Sequence, residues 1–311
     1  EVLAGHLPDE AALVGVDHHV ALVDREPAHQ PAFDQGRREL AGIRGRQTDA
    51  VGPVVHQLAQ VAVALGEGRE QVAHGADAQS FLQSQLTADI AALKDGSATF
   101  ACYCTPKGQV LGLLRVQRSG DDYLVAGDSR LLPGILQRLK MFVFRTRVEF
   151  GPATDLAVFG SPGPDYRFAP CNDGEAETDP AWKADELRAG VTWLGPGSSE
   201  RFIPQMLGFD EFDAVSFSKG CYPGQEIVAR ARYLGSVKRK PLVATIEGTP
   251  ALDIGTKARV RRGANWSDAV VVDSARLDDA RTVVFAVAPG DPEGPADDLE
   301  IDGLSYACAT T

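Results

Sequence analysis

The sequence predicts an α+β protein, on three observations. Apolar residues recur at helical spacing twice, at Phe81, Leu82 and Leu86 and again at Leu131, Leu132, Ile135, Leu136 and Leu139. Between them, strand-like runs at 97–103 and 109–118 flank Thr105-Pro106-Lys107-Gly108, which reads as a hairpin connection. Residues 241–311 carry short strand candidates at 241–246, 257–262, 269–272 and 282–287 without helical patterns, which suggests a small closed or partly closed barrel.

In chain order, Asp77 stands where a helix cap is wanted, and Lys94-Asp95-Gly96 ends the first unit. After the hairpin, Ser119-Gly120-Asp121-Asp122 turns the chain into a strand at 123–126, and the second helix follows. A strand-like run at 156–159 precedes a Pro/Gly-rich region through Pro180, read as loops around a small subdomain. Farther on, Ile227-Val228-Ala229-Arg230-Ala231-Arg232 can form a helix.

The text before Gly75 is different. All six histidines (His6, His18, His19, His29, His56 and His74) fall there, while Lys, Ser, Asn, Cys, Met, Tyr and Trp do not occur, and Phe33 is its only aromatic residue. So few large side chains offset little of the entropy of ordering. Residues 1–74 are therefore expected to be a poorly ordered leader, of the kind produced by translation from upstream of a true start or in another frame. The irregular spacing of the histidines argues against a metal site.

The 311 residues are 44% hydrophobic and 24% charged, enough for a sizeable core in two or three domains. No apolar run approaches the roughly 20 residues that span a bilayer, and the amino terminus lacks a basic-then-apolar layout, so a cytoplasmic protein without membrane contact is expected. A net charge of −12 argues against direct nucleic-acid binding. Cys102, Cys104, Cys171, Cys221 and Cys308 form neither a disulfide framework nor a zinc site. Cys102 and Cys104, two apart in a strand, share one face and read as packed core.

Chemistry concentrates in Lys219-Gly220-Cys221-Tyr222-Pro223-Gly224-Gln225-Glu226. The thiol of Cys221 stands between two glycines, beside a lysine and before a candidate helix. Lys219 and the helix dipole would both favour thiolate, and Gly220 and Gly224 can turn main-chain N–H groups toward a ligand. A tight turn whose cysteine fills space fits the spacing equally well. With no histidine after residue 74, a Cys–His pair is not expected from the body of the chain.

That segment resembles the signature of the YgfZ-type folate-binding proteins, relatives of the glycine-cleavage T-protein that support iron–sulfur enzymes. Phe202-Ile203-Pro204-Gln205, Val215-Ser216-Phe217, Ala229-Arg230-Ala231-Arg232, Gly75-Ala76-Asp77 and the run from Phe81 through Leu86-Thr87-Ala88-Asp89 are similar to the family as well. The resemblance implies a T-protein-like multi-domain fold around a central cavity that holds tetrahydrofolate. Residues 75–238 would form the folate-binding region, as two intertwined α+β subdomains, and residues 239–311 a C-terminal β-barrel. It implies Cys221 and Lys219 as the reactive pair, and Tyr222, Gly224, Gln225 and Arg230 at the folate. Trp182, eight residues before Gly190, falls where the family places a tryptophan against the folate; burial in the core would account for it too.

Two departures stand out. Family members open with a strand before the Gly-Ala-Asp turn, whereas this chain has Glu67-Gly68-Arg69-Glu70-Gln71-Val72-Ala73-His74, so the leader is expected to replace that strand and remove one wall of the site. Aminomethyl-transferring T-proteins carry an aspartate beyond the Pro-Lys-Gly turn, where this chain reads Gln109-Val110-Leu111-Gly112-Leu113-Leu114-Arg115. The expected role is thus a monomeric, folate-binding accessory protein for iron–sulfur clients, including those that modify tRNA, with a folate-dependent aminomethyltransferase as the alternative. A basic excess over residues 219–262 could receive a polyglutamylated folate tail, an acidic protein or RNA, or be solvated surface.

Overall fold

The computed structural model describes residues 55–56, 70–153, 156–160, 166–170, 181–235, 237–290 and 296–308. In chain order these hold β1 (Val55–His56), β2 (Glu70–His74), α1 (Ala78–Gln85), a 3-10 turn (Ile90–Ala92), β3 (Ala98–Cys104), β4 (Val110–Ser119), β5 (Asp122–Gly127) and α2 (Leu132–Met141). Then come β6 (Glu149–Ala153), β7 (Leu156–Gly160), β8 (Tyr166–Pro170), α3 (Trp182–Arg188), a second 3-10 turn (Pro204–Leu207) and α4 (Gln225–Tyr233). The chain ends in β9 (Arg239–Glu247), β10 (Lys257–Arg262), β11 (Asn265–Arg276), β12 (Arg281–Pro289), β13 (Asp298–Ile301) and β14 (Leu304–Ala307).

A five-stranded antiparallel sheet, ordered β3-β4-β5-β2-β6, carries the helices. Because side chains alternate across a strand, β3 divides its residues between two cores. Ala101 and Tyr103 join Phe81, Leu82 and Leu86 of α1 and Ile135, Leu136 and Leu139 of α2. Phe100, Cys102 and Cys104 face the other way, into a core shared with Leu187 of α3, Trp193, Phe209 and Val270, Val272 and Phe285 of β11 and β12. The two cysteines are thus packed core, as their spacing predicts.

Beneath this sheet Arg115 of β4 forms an ion pair with Glu186 of α3, 1% and 0% exposed. Trp193 Nε1 donates to the second carboxylate oxygen at 2.8 Å, and the guanidinium lies 4.8 Å from the Trp193 ring centroid and 5.2 Å from that of Phe100. A buried charge is tolerable only when paired and hydrogen-bonded, so this cluster fixes α3, with Trp182 at its first residue, against the sheet.

The strand expected to be missing is present. Glu70–His74 forms β2, paired to β5 on one side and to β6 on the other, with Val72 opposite both Leu124 and Gly151. Its sequence is polar and poor in β-branched residues, and pairing on both sides overrides that weak propensity. Of the remaining residues assigned to the leader only Val55–His56 is described, pairing with β7; the other leader expectations lie outside the described residues. The Pro/Gly-rich region contains β8, which pairs with β7.

Asp77 precedes α1 as expected but does not cap it with its side chain. Its carboxylate instead accepts the Arg147 N–H at 2.8 Å, and that bond, followed by the Arg147 side chain, holds its pKa below the ordinary value. Gly75 fits here because its φ is +117° and a Cβ would come within 2.1 Å of the Arg147 carbonyl oxygen.

The C-terminal strands form a curled six-stranded sheet, β14-β13-β10-β11-β12-β9, around Ile246, Val260, Val271, Val284, Leu299 and Ile301. Its two edges approach at a single bridge, Ile246 to Cys308, rather than along a ladder.

Candidate functional site

Segments distant in sequence converge where α1 ends. Thr87, fully buried, donates its hydroxyl to the Ala214 carbonyl at 2.6 Å and accepts the Cys102 N–H at 2.7 Å. Its own carbonyl takes the Ser216 N–H at 2.9 Å. Thr87 thereby pins the strand interior to the chain that leads into residues 219–226. Sequence reading quoted Thr87 without giving it a role; the available signal was a hydroxyl between the apolar Leu86 and Ala88.

Lys219 completes the junction. Its Nζ donates to the carbonyls of Gln83 at 2.5 Å, Leu86 at 2.6 Å and Ala88 at 2.8 Å. The first two are carbonyls left open at the end of α1, where a cation is favoured by the helix dipole, while the third belongs to the turn beyond it and also accepts the Ile90 N–H at 3.1 Å. Burial pulls the Lys219 pKa down to about 8, while the nearby Asp89 carboxylate pulls it back up. An ammonium has three hydrogens, and all three are engaged here. In this structure the lysine's hydrogens hold the loop that carries Cys221.

Tyr222 lies under this ammonium, with Nζ 5.3 Å from the ring centroid. The residue is 6% exposed, and its hydroxyl has no hydrogen-bond partner among the described residues. Burial, then the neighbouring Cys104 and Cys102, push the phenol pKa upward. Gly224 adopts φ +81°, and a Cβ there would meet Thr105 O at 2.4 Å and the Gly108 N and Cα at 2.6 Å. This glycine is required for backbone-to-backbone packing on the hairpin turn, itself closed by Gly108 N–H to Thr105 O at 2.9 Å. Gln225 donates its amide to the Lys219 carbonyl at 3.4 Å, closing the loop on itself.

Cys221 stands exposed on this braced loop, four residues before α4. Cys102 and Cys104 are buried, and burial pushes the Cys104 thiol up to about 12; Cys171 lies outside the described residues. Arg230 is exposed on α4 and pairs with Glu226 at 3.4 Å. Gln205, which sequence reading assigned no role, anchors α4 by donating Nε2 to the Val228 carbonyl at 2.7 Å, and leaves its buried Oε1 without a partner among the described residues. The structure thus gathers Lys219, Cys221, Tyr222, Gly224, Gln225 and Arg230 into one loop and helix. Trp182 comes from α3 and is 6% exposed.

Part of the basic excess of residues 219–262 is met by acids outside the stretch. Arg232 pairs with Asp210 at 3.4 Å, Arg259 with Glu300 at 3.6 Å, and Arg261 with Asp298 and, at 3.7 Å, with Asp297. These three arginines thus belong to surface ion pairs.

No protein-family model matches the chain. An uncharacterised protein of Haemophilus influenzae is 31% identical over 222 residues, which span 65% of this chain and 79% of that one. Two proteins named tRNA-modifying protein YgfZ, from Escherichia coli O157:H7 and Enterobacter sp., are each 27% identical. They align over 268 and 290 residues, covering 70% and 75% of this chain and 82% and 89% of their own. The crystal structure of glycine cleavage system aminomethyltransferase T from Bartonella henselae matches with a TM-score of 0.57 at 16% identity, over 88% of this chain and 95% of that chain, a likeness of fold. Among the described residues no helix is long and apolar enough to cross a membrane.

Proposed function

Because the chain belongs to the YgfZ-type family and has a T-protein-like fold, we propose that it is a cytoplasmic, tetrahydrofolate-binding accessory protein. It supports assembly or repair of iron–sulfur enzymes, including those that modify tRNA, through the thiol of Cys221. The observation that carries this reading is the exposure of Cys221 on a loop braced by Lys219, Thr87 and Gly224. A thiol that must meet another protein needs access, and a fixed loop reduces the ordering cost of that encounter.

Support for a folate comes from two buried polar atoms, the Tyr222 hydroxyl and Gln205 Oε1, which have no partners among the described residues; a ligand that reached them would relieve that cost. In this proposal Trp182 and Tyr222 contact the pterin, Gly224 and Gln225 hold the loop beside it, and Arg230 meets the glutamate carboxylates. Bound tetrahydrofolate would supply a one-carbon carrier or a reductant; the chain's own part is to bind it and to hold Cys221 near it.

The second reading, aminomethyl transfer, is favoured by the fold alone. Against it, β4 offers no carboxylate at residues 109–114, and the following Arg115 is spent on Glu186. A proton acceptor for the folate amine is missing from that strand. Calorimetry with tetrahydrofolate tests the proposal, with a one-carbon donor and turnover assay beside it. Binding without turnover is expected, weakened by Trp182→Ala and Tyr222→Phe. Absence of binding to the folded protein overturns the folate reading, and turnover selects the transferase.

A further inference from the structure

Several large apolar side chains are exposed among the described residues, and three of them, Met141 (67%), Phe142 (53%) and Phe144 (76%), lie within four positions at the end of α2. They are not a frayed end. Phe142 N–H closes the helix on the Leu139 carbonyl at 2.9 Å, and Val143, between the two phenylalanines, packs inward on the α1–α2 core. Downstream, Arg147 N–H bonds the Asp77 carboxylate at 2.8 Å and its carbonyl receives the Asp77 N–H at 3.3 Å. Anchored on both sides, the chain turns through Arg145 in the left-handed region, φ +67°, where residues with a Cβ are disfavoured. The Arg145 guanidinium sits over the Phe144 ring, 5.3 Å from its centroid.

Charge adds a second feature to this knuckle. No acidic residue occurs between Asp128 and Glu149, while Arg130, which pairs with Asp128, and Arg138, Lys140, Arg145 and Arg147 do, in a protein of net charge −12. Arg147 is answered by Asp77 at 3.4 Å and Arg138 by Glu200 at 3.8 Å; Lys140 and Arg145 enter no ion pair described for these residues. The knuckle therefore offers apolar area, an aromatic ring already paired with a cation, and positive charge left without an ion-pair partner. Aromatic residues and arginine are the side chains that most often dominate binding energy at protein interfaces.

We infer that residues 141–145 form a docking surface for a partner protein, which presents an apolar segment flanked by acidic residues. Complementary charge selects that occupant. The strongly negative remainder of the chain disfavours an anionic bilayer or a nucleic-acid backbone, where long-range repulsion opposes approach. This surface is separate from the folate reading and stands without it.

Fluorescence anisotropy of the full chain with a labelled peptide of alternating Asp/Glu and Leu/Phe tests it. A counterpart with Lys in place of each acid, and phosphatidylserine vesicles, serve as competing probes. Saturable binding of the acidic peptide is expected, weakened about tenfold or more by Phe144→Ser and by Arg145→Gln, with an unchanged Tm because both side chains are exposed. Equal binding of the basic peptide, an unaltered affinity in both variants, or stronger binding to the vesicles would overturn the inference. So would sedimentation showing that Phe144→Ser dissolves a dimer, because the surface would then belong to a second copy of the chain.

Discussion

Arg115 and Lys219 are both cations withdrawn from water, 1% and 8% exposed, but they are held by opposite means. Arg115 has a full carboxylate partner in Glu186, between the rings of Phe100 and Trp193. Lys219 has only the neutral carbonyls of Gln83, Leu86 and Ala88, with Asp89 acting at a distance. The first arrangement fixes a helix in a core and cannot change its charge state near neutrality. The second holds an exposed thiol's loop by a group whose proton is far less secure. The ion pair thus belongs to the core beneath the sheet, and the lysine to the junction beside its edge strand β3, where Leu86 bridges Tyr103.

The largest expected effect breaks the scaffold. Glu186→Gln leaves the Arg115 charge buried without its counterion and should destabilise the protein by about 3–5 kcal/mol, seen as a lower denaturant midpoint. Replacing both residues together, Arg115→Met with Glu186→Leu, should recover much of that loss; no recovery would mean that the cluster is more than an ion pair.

Next in size is Gly224→Ala, which forces an L residue to φ +81° and drives a Cβ toward Thr105 O and the Gly108 backbone. A cost of about 2–4 kcal/mol is expected, together with faster amide exchange in residues 105–108. A tolerated alanine would show that the two turns do not press together.

Lys219→Met should cost less, about 1–3 kcal/mol, because it leaves the carbonyls at the end of α1 unsatisfied. Its mark is local: hydrogen exchange should quicken across residues 214–224, where the Glu186 variants leave protection unchanged relative to their global stability.

The last effect is pH-dependent. The Lys219 pKa is about 8 in the fold against 10.5 for an ordinary lysine, so between these values the unfolded chain binds the proton that the native state has lost. Stability from this group therefore grows as pH rises through that window and is lost as pH falls through the lower value. The Tm advantage of the native protein over Lys219→Met should widen between about pH 7.5 and about pH 10. The corresponding gap for Glu186→Gln should stay flat.

These differences also explain what the sequence made legible. Strong local patterns carried through: the hairpin around Thr105-Pro106-Lys107-Gly108, the apolar spacing of α1 and α2, and the helix after Gly224 stand where their residues predict. Strand β2 was missed because Glu70, Gln71 and His74 carry little β-propensity, and pairing with β5 and β6 alone makes it a strand. Short β8, β13 and β14 sit among prolines, glycines and acids that mask them. At the site, the two glycines around Cys221 signalled a turn, and Cys221 is exposed on it. The partner of Lys219 was not legible, because carbonyls at Gln83, Leu86 and Ala88 are main-chain atoms that every residue possesses. Nor could the sequence reveal that acids as remote as Asp210 and Glu300 answer the arginines of residues 219–262.

The central claim is that the braced thiol at 221 is the working group. It is tested most directly in cells that depend on this protein, by exchanging it for Cys221→Ser and assaying iron–sulfur enzymes, including one that modifies tRNA. The account predicts that their activity falls to the level of cells lacking the protein, while the variant remains folded and as abundant as the original. Undiminished activity with serine at that position would contradict it.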